Sequence, residues 1–187
     1  MGYKTTTDMF ELRTETDATI TGASGSAVAT IDTSLDTLNR EVLLIHEVDI
    51  RAGSAPFNAM QEMAGDVNGA KLSIANTLAT EAGTFGLNDS EFVSGLDQEF
   101  VMLHAAATGG GQSLVIEHRN PDSRSVPSKD KVPLAIVTSQ TLTARTGFTA
   151  TGITLSGSDT YKAQFRIYAQ RAKADADTYA ALVTGLL

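Results

Sequence analysis

Residues 41–50 read Glu-Val-Leu-Leu-Ile-His-Glu-Val-Asp-Ile and form the longest uninterrupted run in the chain that fits a single kind of structure. Side chains along a strand point alternately to opposite faces. The even-numbered residues therefore form a mostly apolar face, and the odd-numbered residues form a face that is acidic at both ends. The apolar face consists of Val42, Leu44, His46, Val48 and Ile50. This alternation predicts a half-buried strand of an antiparallel sheet, and the rest of the fold is built outward from it.

Seven further stretches have strand-like patterns separated by turn residues. With the first they give predicted strands at 27–31, 41–50, 70–80, 99–106, 113–118, 133–145, 148–155 and 161–171. Turns are predicted at Thr146-Gly147 and at 156–159. Many short strands with few intervening helices are typical of an antiparallel sandwich, and eight is the number that a jelly roll requires. The predicted fold class is all-β, an eight-stranded antiparallel jelly-roll sandwich with a short C-terminal helix.

Two segments change to helical spacing. Apolar residues recur every three or four positions in 57–64, which is followed by Gly65 and predicts a short helix between strands. In the tail, acidic Asp175 and Asp177 precede a second periodic set, and carboxylates suit a helix amino terminus. That set is Tyr179, Leu182, Val183 and Leu186. The tail is therefore predicted to form an amphipathic helix that packs on its own sandwich.

The amino-terminal segment is rich in Thr, Ser, Asp and Gly and lacks a sustained apolar pattern. Two short strands joined by the flexible link 22–26, or a mobile arm that orders on assembly, fit it equally well. Ordering costs roughly 1–2 kcal/mol per residue, which this segment cannot offset alone. We predict an extended, partly flexible arm at 1–26, ordered mainly by neighbouring subunits, and a single β-sandwich domain at 27–187.

Composition places the chain among globular proteins. It has 187 residues, of which 42% are hydrophobic and 19% charged, so one domain with a substantial core is expected. The absence of cysteine excludes disulfides and thiolate catalysis. The amino terminus lacks the apolar run of a secretory signal, and no stretch approaches the roughly 20 apolar residues of a membrane span. Neither a signal-bearing precursor nor an integral membrane protein is expected.

The charge is acidic overall and unevenly placed. The net charge is −8, which argues against a surface that grips nucleic-acid phosphates. Residues 1–112 hold 5 basic and 16 acidic side chains, net −11, whereas residues 113–187 hold 9 basic and 6 acidic, net +3. Either both halves interleave within one domain and the field averages out, or an acidic rim of one copy meets a basic rim of the next.

Residues with catalytic or metal-binding chemistry are scattered. His46, His104 and His118 each stand among apolar neighbours, with no local ligand cluster. The acidic pairs Glu47/Asp49 and Asp97/Glu99 each share a strand face; they fit a calcium or glycosidase site, and they also fit ordinary solvated strand faces. We therefore predict no catalytic residue, no metal site and no cofactor. Tryptophan is absent and aromatics are 6%, which counts against a sugar platform of stacked rings.

The order of features carries a resemblance. A Thr-rich segment ends in Phe10-Glu-Leu12 and leads to the 41–48 strand, the Lys71-Leu-Ser-Ile-Ala75 strand, the Gly86-Leu-Asn-Asp-Ser90 turn with Phe92 and Val93, and finally Phe165-Arg-Ile-Tyr-Ala169 before the terminal helix. This layout resembles small single-jelly-roll major capsid proteins of tailless icosahedral viruses, particularly those inferred for marine and archaeal viruses. The resemblance covers most of the chain.

The resemblance implies a non-enzymatic structural virion protein, a capsid shell subunit whose partners are copies of itself and other virion proteins or an internal membrane. One feature departs from it: many capsid proteins carry a basic internal arm, whereas residues 1–39 hold only Lys4 and Arg13 against six acidic residues. Direct nucleic-acid binding is therefore not expected. The alternatives are a carbohydrate- or adhesin-type binding module that uses the loops 51–69 and 119–132, and a metal-dependent enzyme on a cupin-like barrel.

Overall fold

The computed structural model describes residues 2–54, 56–66, 70–81, 91–104, 113–121 and 132–184, and for 64–66, 102–104 and 113–121 it describes the backbone alone. Within these ranges the chain forms ten strands and two α-helices. The strands are β1 Tyr3–Thr5, β2 Phe10–Gly22, β3 Ser24–Asp32, β4 Glu41–Arg51, β5 Lys71–Ala79, β6 Phe92–His104, β7 Ser113–Pro121, β8 Ala135–Val137, β9 Thr141–Thr151 and β10 Leu155–Ala174; the helices are α1 Phe57–Asp66 and α2 Ala176–Val183. Neither helix is long and apolar enough to cross a membrane.

The strands form two antiparallel sheets. In the first, here sheet A, the 20-residue strand β10 is central: β4 pairs with one side of it, β2 and then β1 pair with the other, and β8 pairs with the far side of β4. In the second, here sheet B, the order is β3-β9-β5-β6-β7. Successive strands β2 to β5 alternate between the sheets, and so do β8 to β10. This winding of two antiparallel sheets is a jelly roll.

The predicted fold class, an antiparallel sandwich with a short C-terminal helix, is confirmed. The space between the sheets is filled by inward side chains of both sheets and of α1, which form one continuous apolar cluster. Its largest members are almost fully buried: Ile20, Leu43, Ile45, Met63, Leu72, Ile74, Leu78, Phe100, Tyr161 and Phe165. Strands β1 and β7 extend the two sheets beyond the eight strands that the jelly roll needs.

The parity predicted for 41–50 is wrong in one respect. Tyr168 lies opposite Glu47 whereas Ala169 lies opposite Ile45, so His46 is the extra residue of a β-bulge. A bulge exchanges the two faces of a strand on either side of it. Leu43 and Ile45 therefore share the inner cluster with Val48 and Ile50, while Val42 and Leu44 lie in a separate cluster.

The second cluster shows why β4 is apolar on both faces. Val42 and Leu44 pack with Ala172 and Ala174 of β10, and Tyr179 and Leu182 of α2 pack against them from outside the sandwich. The amino terminus of α2 is capped by Asp175, whose carboxylate accepts a 2.7 Å hydrogen bond from the Thr178 N–H. The predicted packing of the terminal helix on its own sandwich is thereby confirmed for Tyr179 and Leu182, whereas Val183 of the same predicted stripe is exposed and Leu186 lies outside the described residues.

Strand β2 lies before the first strand that the sequence patterns predicted. It pairs with β10 from Phe10 opposite Ala169 to Gly22 opposite Leu155, and Thr16, Ala18 and Ile20 are buried. The chain then turns at Gly22, whose φ of 78° suits glycine, and enters sheet B as β3. The prediction that residues 1–26 are an arm ordered by neighbouring subunits is not tested by this intramolecular pairing and stays a prediction.

Two predicted turns lie inside strands. Thr146-Gly147 is part of β9, because Thr146 is buried and hydrogen-bonded in the core and Gly147 keeps the ladder to Ser26 and Ala75. The segment 156–159 belongs to β10, where it produces a register shift against β2. The predicted strand 133–145 is instead divided at 138–140, where the chain crosses from sheet A to sheet B. The first residues of β6, which precede the predicted strand 99–106, pair with β5 and bury Val93.

Helix α1, predicted at 57–64, is tied to this irregular part of β10 by two carboxylates. Asp159 accepts hydrogen bonds of 2.9 Å from the Ala59 N–H and from the Asn58 side chain. In return, Glu62 accepts a 2.7 Å hydrogen bond from the Ser156 N–H and further bonds from the Ser156 hydroxyl and the Gly157 N–H. These donors, led by the Ser156 N–H, hold the pKa of Glu62 below its ordinary value.

We expect Glu62→Gln to lower the melting temperature at pH 7, because a neutral amide accepts these hydrogen bonds less strongly. A carboxyl whose pKa is lowered in the folded state stabilises the fold above its unfolded value, about 4.3, and loses that contribution as the pH falls through the folded value. The difference from wild type should therefore shrink towards pH 3. Thermal melts at both pH values measure it, with exposed Glu81→Gln as the control; an equal difference at both pH values would contradict this role.

Candidate functional site

The three histidines that were considered as metal ligands lie on two different sheets. His46 is on β4 of sheet A, whereas His104 and His118 are on β6 and β7 of sheet B. His104 lies opposite Ser113 and His118 lies opposite Glu99, five strand positions away, which is about 17 Å. The backbone therefore does not bring the three together. Among side chains that the structure describes, no group of three or more histidine or acidic residues is placed to hold a metal ion.

Each predicted acidic pair lies on the outer face of a sheet, and one member of each is engaged by a basic residue. On sheet A the Arg51 guanidinium lies 3.2 Å from Asp49, and on sheet B the Lys71 ammonium lies 2.6 Å from Glu99. Burial raises the pKa of Asp97, and burial followed by the charge of Asp49 raises the pKa of Glu47. These contacts favour the interpretation as strand faces over a shared calcium or glycosidase site.

The bulge in β4 leaves polar groups unpaired. Both ring nitrogens of His46 and the Oε2 of Glu47 are buried and have no hydrogen-bond partner in the structure as described. Buried polar side chains are normally hydrogen-bonded, and bulges often re-aim side chains near functional positions. Tyr168 lies directly across from Glu47. These groups all lie at or next to the bulge of β4.

The acidic first part and the basic last part of the chain interleave in sheet A. The Lys162 ammonium of β10 lies 3.6 Å from Glu15 and 3.4 Å from Asp17 of β2. Four residues further along β10, the Arg166 guanidinium lies 3.7 Å from the Glu11 carboxylate. The exposed pairs contribute little stability individually. They do compensate the charge asymmetry within one subunit, which favours the first of the two interpretations of the charge distribution.

A chain of five polar side chains crosses the core and joins the two sheets, and we call it the polar chain: Thr16, Thr146, Asn76, Tyr161 and Gln98. Thr146 donates a 2.8 Å hydrogen bond to Asn76 Oδ1, so the 2.5 Å contact between Thr16 and Thr146 must be donated by Thr16. The Asn76 amide donates to the Leu96 carbonyl and to the Tyr161 hydroxyl, both at 3.2 Å. The Tyr161 hydroxyl donates to Gln98 Oε1.

The polar chain crosses between the sheets three times, since Thr16 and Tyr161 belong to sheet A and the other three belong to sheet B. All five are buried, none more than 2% exposed. A buried network whose members satisfy one another rigidifies a core and defines one packing of its layers. We therefore expect these hydrogen bonds to contribute to how the sheets sit on each other, including where β2 attaches.

The sequence matches no protein-family model, and no curated protein matches it significantly. Among the solved structures that match the chain are the following two. VP1 of Trichodysplasia spinulosa-associated polyomavirus, in complex with 3'-sialyllactose, is 9% identical with a TM-score of 0.42, and the match covers 92% of this chain and 97% of that one. A chain in the structure of infectious bursal disease virus Gx strain is 11% identical in sequence, with a TM-score of 0.26. The match covers 90% of this chain and 32% of that one.

Both are structures of viral proteins. The likeness is one of fold. The binding-module alternative uses the loops 51–69 and 119–132. The structure describes residues 51–54 and 56–66 of the first, which include α1, and residues 119–121 and 132 of the second, which include the end of β7.

The polar chain is the part of the interior that sequence patterns missed. Its signal was present in β5, where Asn76 stands at an inward position between Ile74 and Leu78. An asparagine on an apolar face implies a hydrogen-bonding partner in the core. Those partners lie 20 to 85 residues away in sequence, so only the folded arrangement identifies them.

Proposed function

We propose that this protein is a structural shell subunit of a virion, of the small single-jelly-roll type found in tailless icosahedral viruses. The observation that carries the proposal is the jelly-roll sandwich itself, whose interior is closed by apolar side chains and by the polar chain. A sandwich filled in this way offers its sheet edges, outer faces and termini for contacts. Repetition of identical contacts under closed symmetry turns weak interfaces into a stable shell.

The proposed partners are further copies of this chain, together with other virion proteins or an internal membrane. The order of sequence features that resembles capsid proteins supports the same role independently of the structure. No enzymatic activity is proposed: one member of each acidic pair is engaged by a basic residue, and the three histidines are separated by strand and register.

Size-exclusion chromatography and electron microscopy of the purified protein test the proposal. We expect oligomers or shell-like particles at native-like salt and micromolar or higher concentration, since weak identical contacts need concentration to form. A protein that stays strictly monomeric under these conditions, and is absent from particles of its native source, would contradict the proposal. Specific binding on a glycan array by such a monomer would favour the binding module instead.

The acidic charge leads to a prediction about the genome. With a net charge of −8, the subunit should not condense nucleic acid, so packaging would depend on another component. A gel-shift assay with DNA at low salt, where electrostatic binding is strongest, should show no shift, while a polylysine control shifts the same DNA. Tight binding that weakens steeply as salt is added would show that the prediction is wrong.

A further inference from the structure

In the part of the chain that the structure describes, strand β3 has one neighbour, β9, and forms an edge of sheet B that lacks the features that protect the other edges. Residues 23–31 contain no charged residue and no proline. By contrast, the edge strand β2 carries four charged residues over 11–17, β8 has three residues, and β7 ends in charged residues and Pro121. Charges, short length and proline are the usual devices that stop an edge from pairing with another chain. Only β3, among the described edges, is regular and unprotected.

The backbone groups that β3 offers follow from its pairing with β9. At its two ends, the Ala150 N–H donates to the Ala23 carbonyl at 2.8 Å, and the Thr33 N–H donates to the Gln140 carbonyl at 3.0 Å. Bonded and non-bonded residues alternate in an antiparallel ladder, and this ladder has no shift along the nine residues of β3. The odd-numbered residues therefore bond to β9. The even-numbered ones direct N–H and C=O away from it: Ser24, Ser26, Val28, Thr30 and Asp32.

Val28 marks the middle of this row. Val28 is 55% exposed. In the described part of the chain, it is the only large apolar residue that is exposed on a strand. The other exposed large apolar residues lie on helices or in connecting segments. A β-branched side chain at this position suits a cross-strand pair on a sheet face.

We propose that β3 pairs antiparallel with β3 of a second copy across a two-fold axis at Val28, so that two five-stranded sheets B become one ten-stranded sheet. The partner is a second copy because the row is self-complementary. With Val28 opposite Val28 of the partner subunit, Ser26 lies opposite Thr30 of the partner subunit, and Asp32 lies opposite Ser24 of the partner subunit. No like charges meet, and all five outward residues are paired. This inference rests on the proposed function as a self-assembling subunit.

The absence of cysteine from the chain makes the register directly testable. Residues of a bonded antiparallel pair have Cα atoms about 5.5 Å apart, within the range that a disulfide spans. In full-length Val28→Cys the two substituted positions face each other at the axis. In the matched control Thr30→Cys they are four strand positions apart, about 13 Å, which is too far to bridge. Under mild oxidation of dilute protein, we expect at least about tenfold more covalent dimer from Val28→Cys than from Thr30→Cys.

A second variant tests the hydrogen bonds. Val28→Pro removes one outward N–H while φ near −65° is tolerated on an edge strand, so the subunit should keep its fold but lose association. Val28→Thr keeps the N–H and should associate like wild type. Equal crosslinking at positions 28 and 30, or a covalent adduct with another virion protein, would overturn the two-fold pairing. Particles that assemble without preferential crosslinking at 28 would overturn it and leave the shell function standing, whereas a strictly monomeric protein would count against both.

Discussion

Replacing Asn76 with leucine is expected to lower the free energy of unfolding by about 2–4 kcal/mol, although leucine is apolar and similar in size. Asn76 bonds to Thr146, to Tyr161 and to the Leu96 carbonyl, and the change leaves these buried groups short of a partner. For a chain of this length each kcal/mol shifts the melting temperature by about 2–4 °C, so a fall of about 5–15 °C is expected. Thermal and urea denaturation with circular dichroism measure it.

The matched control is Ala75→Leu, which introduces the same side chain one residue away on the exposed face of β5. Its effect should stay within about 0.5 kcal/mol, as is usual for surface positions. A second comparison combines Asn76→Leu with Thr146→Val. Because both residues belong to the polar chain, their effects should fall short of additivity by about 0.5–3 kcal/mol. An Asn76→Leu protein as stable as wild type would show that apolar packing alone positions the sheets.

Leu182→Asp is expected to lower the free energy of unfolding by about 1–3 kcal/mol, because it removes apolar burial and places a carboxylate against an apolar surface. Leu182 packs with Tyr179 against the cluster of Val42 and Leu44 on β4 and Ala172 and Ala174 on β10. Val183→Asp is the matched control, since Val183 is 58% exposed on the same helix.

Both variants place an acidic residue near the carboxyl end of α2, so the effect on the helix dipole is shared and the difference between them reports burial. Chemical denaturation of the isolated subunit measures each free energy. Equal destabilisation by the two variants would show that helix propensity rather than packing dominates. Unchanged stability of Leu182→Asp would show that the helix does not hold the outer face of sheet A.

The sequence shows some features of the candidate surfaces, and others are visible only in the folded structure. The uncharged run at 23–31 is visible in the sequence, but that it forms a free edge depends on β9 pairing with one side of it only. The acidic pairs were recognised, yet Lys71, which engages Glu99 from the neighbouring strand, is identified only when the register of β5 and β6 is known. Charge compensation between β2 and β10 likewise joins residues more than 140 positions apart.

Local pattern was sufficient for the class of the fold and for both helices. Alternation with period two, punctuated by turn residues, arises from the geometry of a single strand, so 41–50, 70–80 and 161–171 were recognisable without their neighbours. The cap Asp175 and the apolar spacing of α2 are also local properties. These features follow from backbone geometry and from the burial of one face.

Tertiary structure alone decided the features that depend on a second layer. The bulge at His46 exchanges the faces of β4, because α2 covers one end of the strand from outside while sheet B covers the rest from inside. Strand β2 has a weak pattern of its own and is held by pairing with β10 and by the bond from Thr16 to Thr146. Gly147 reads as a turn in isolation but continues β9 between two partners. In each case the stabilising contacts come from residues distant in sequence, and no local pattern records them.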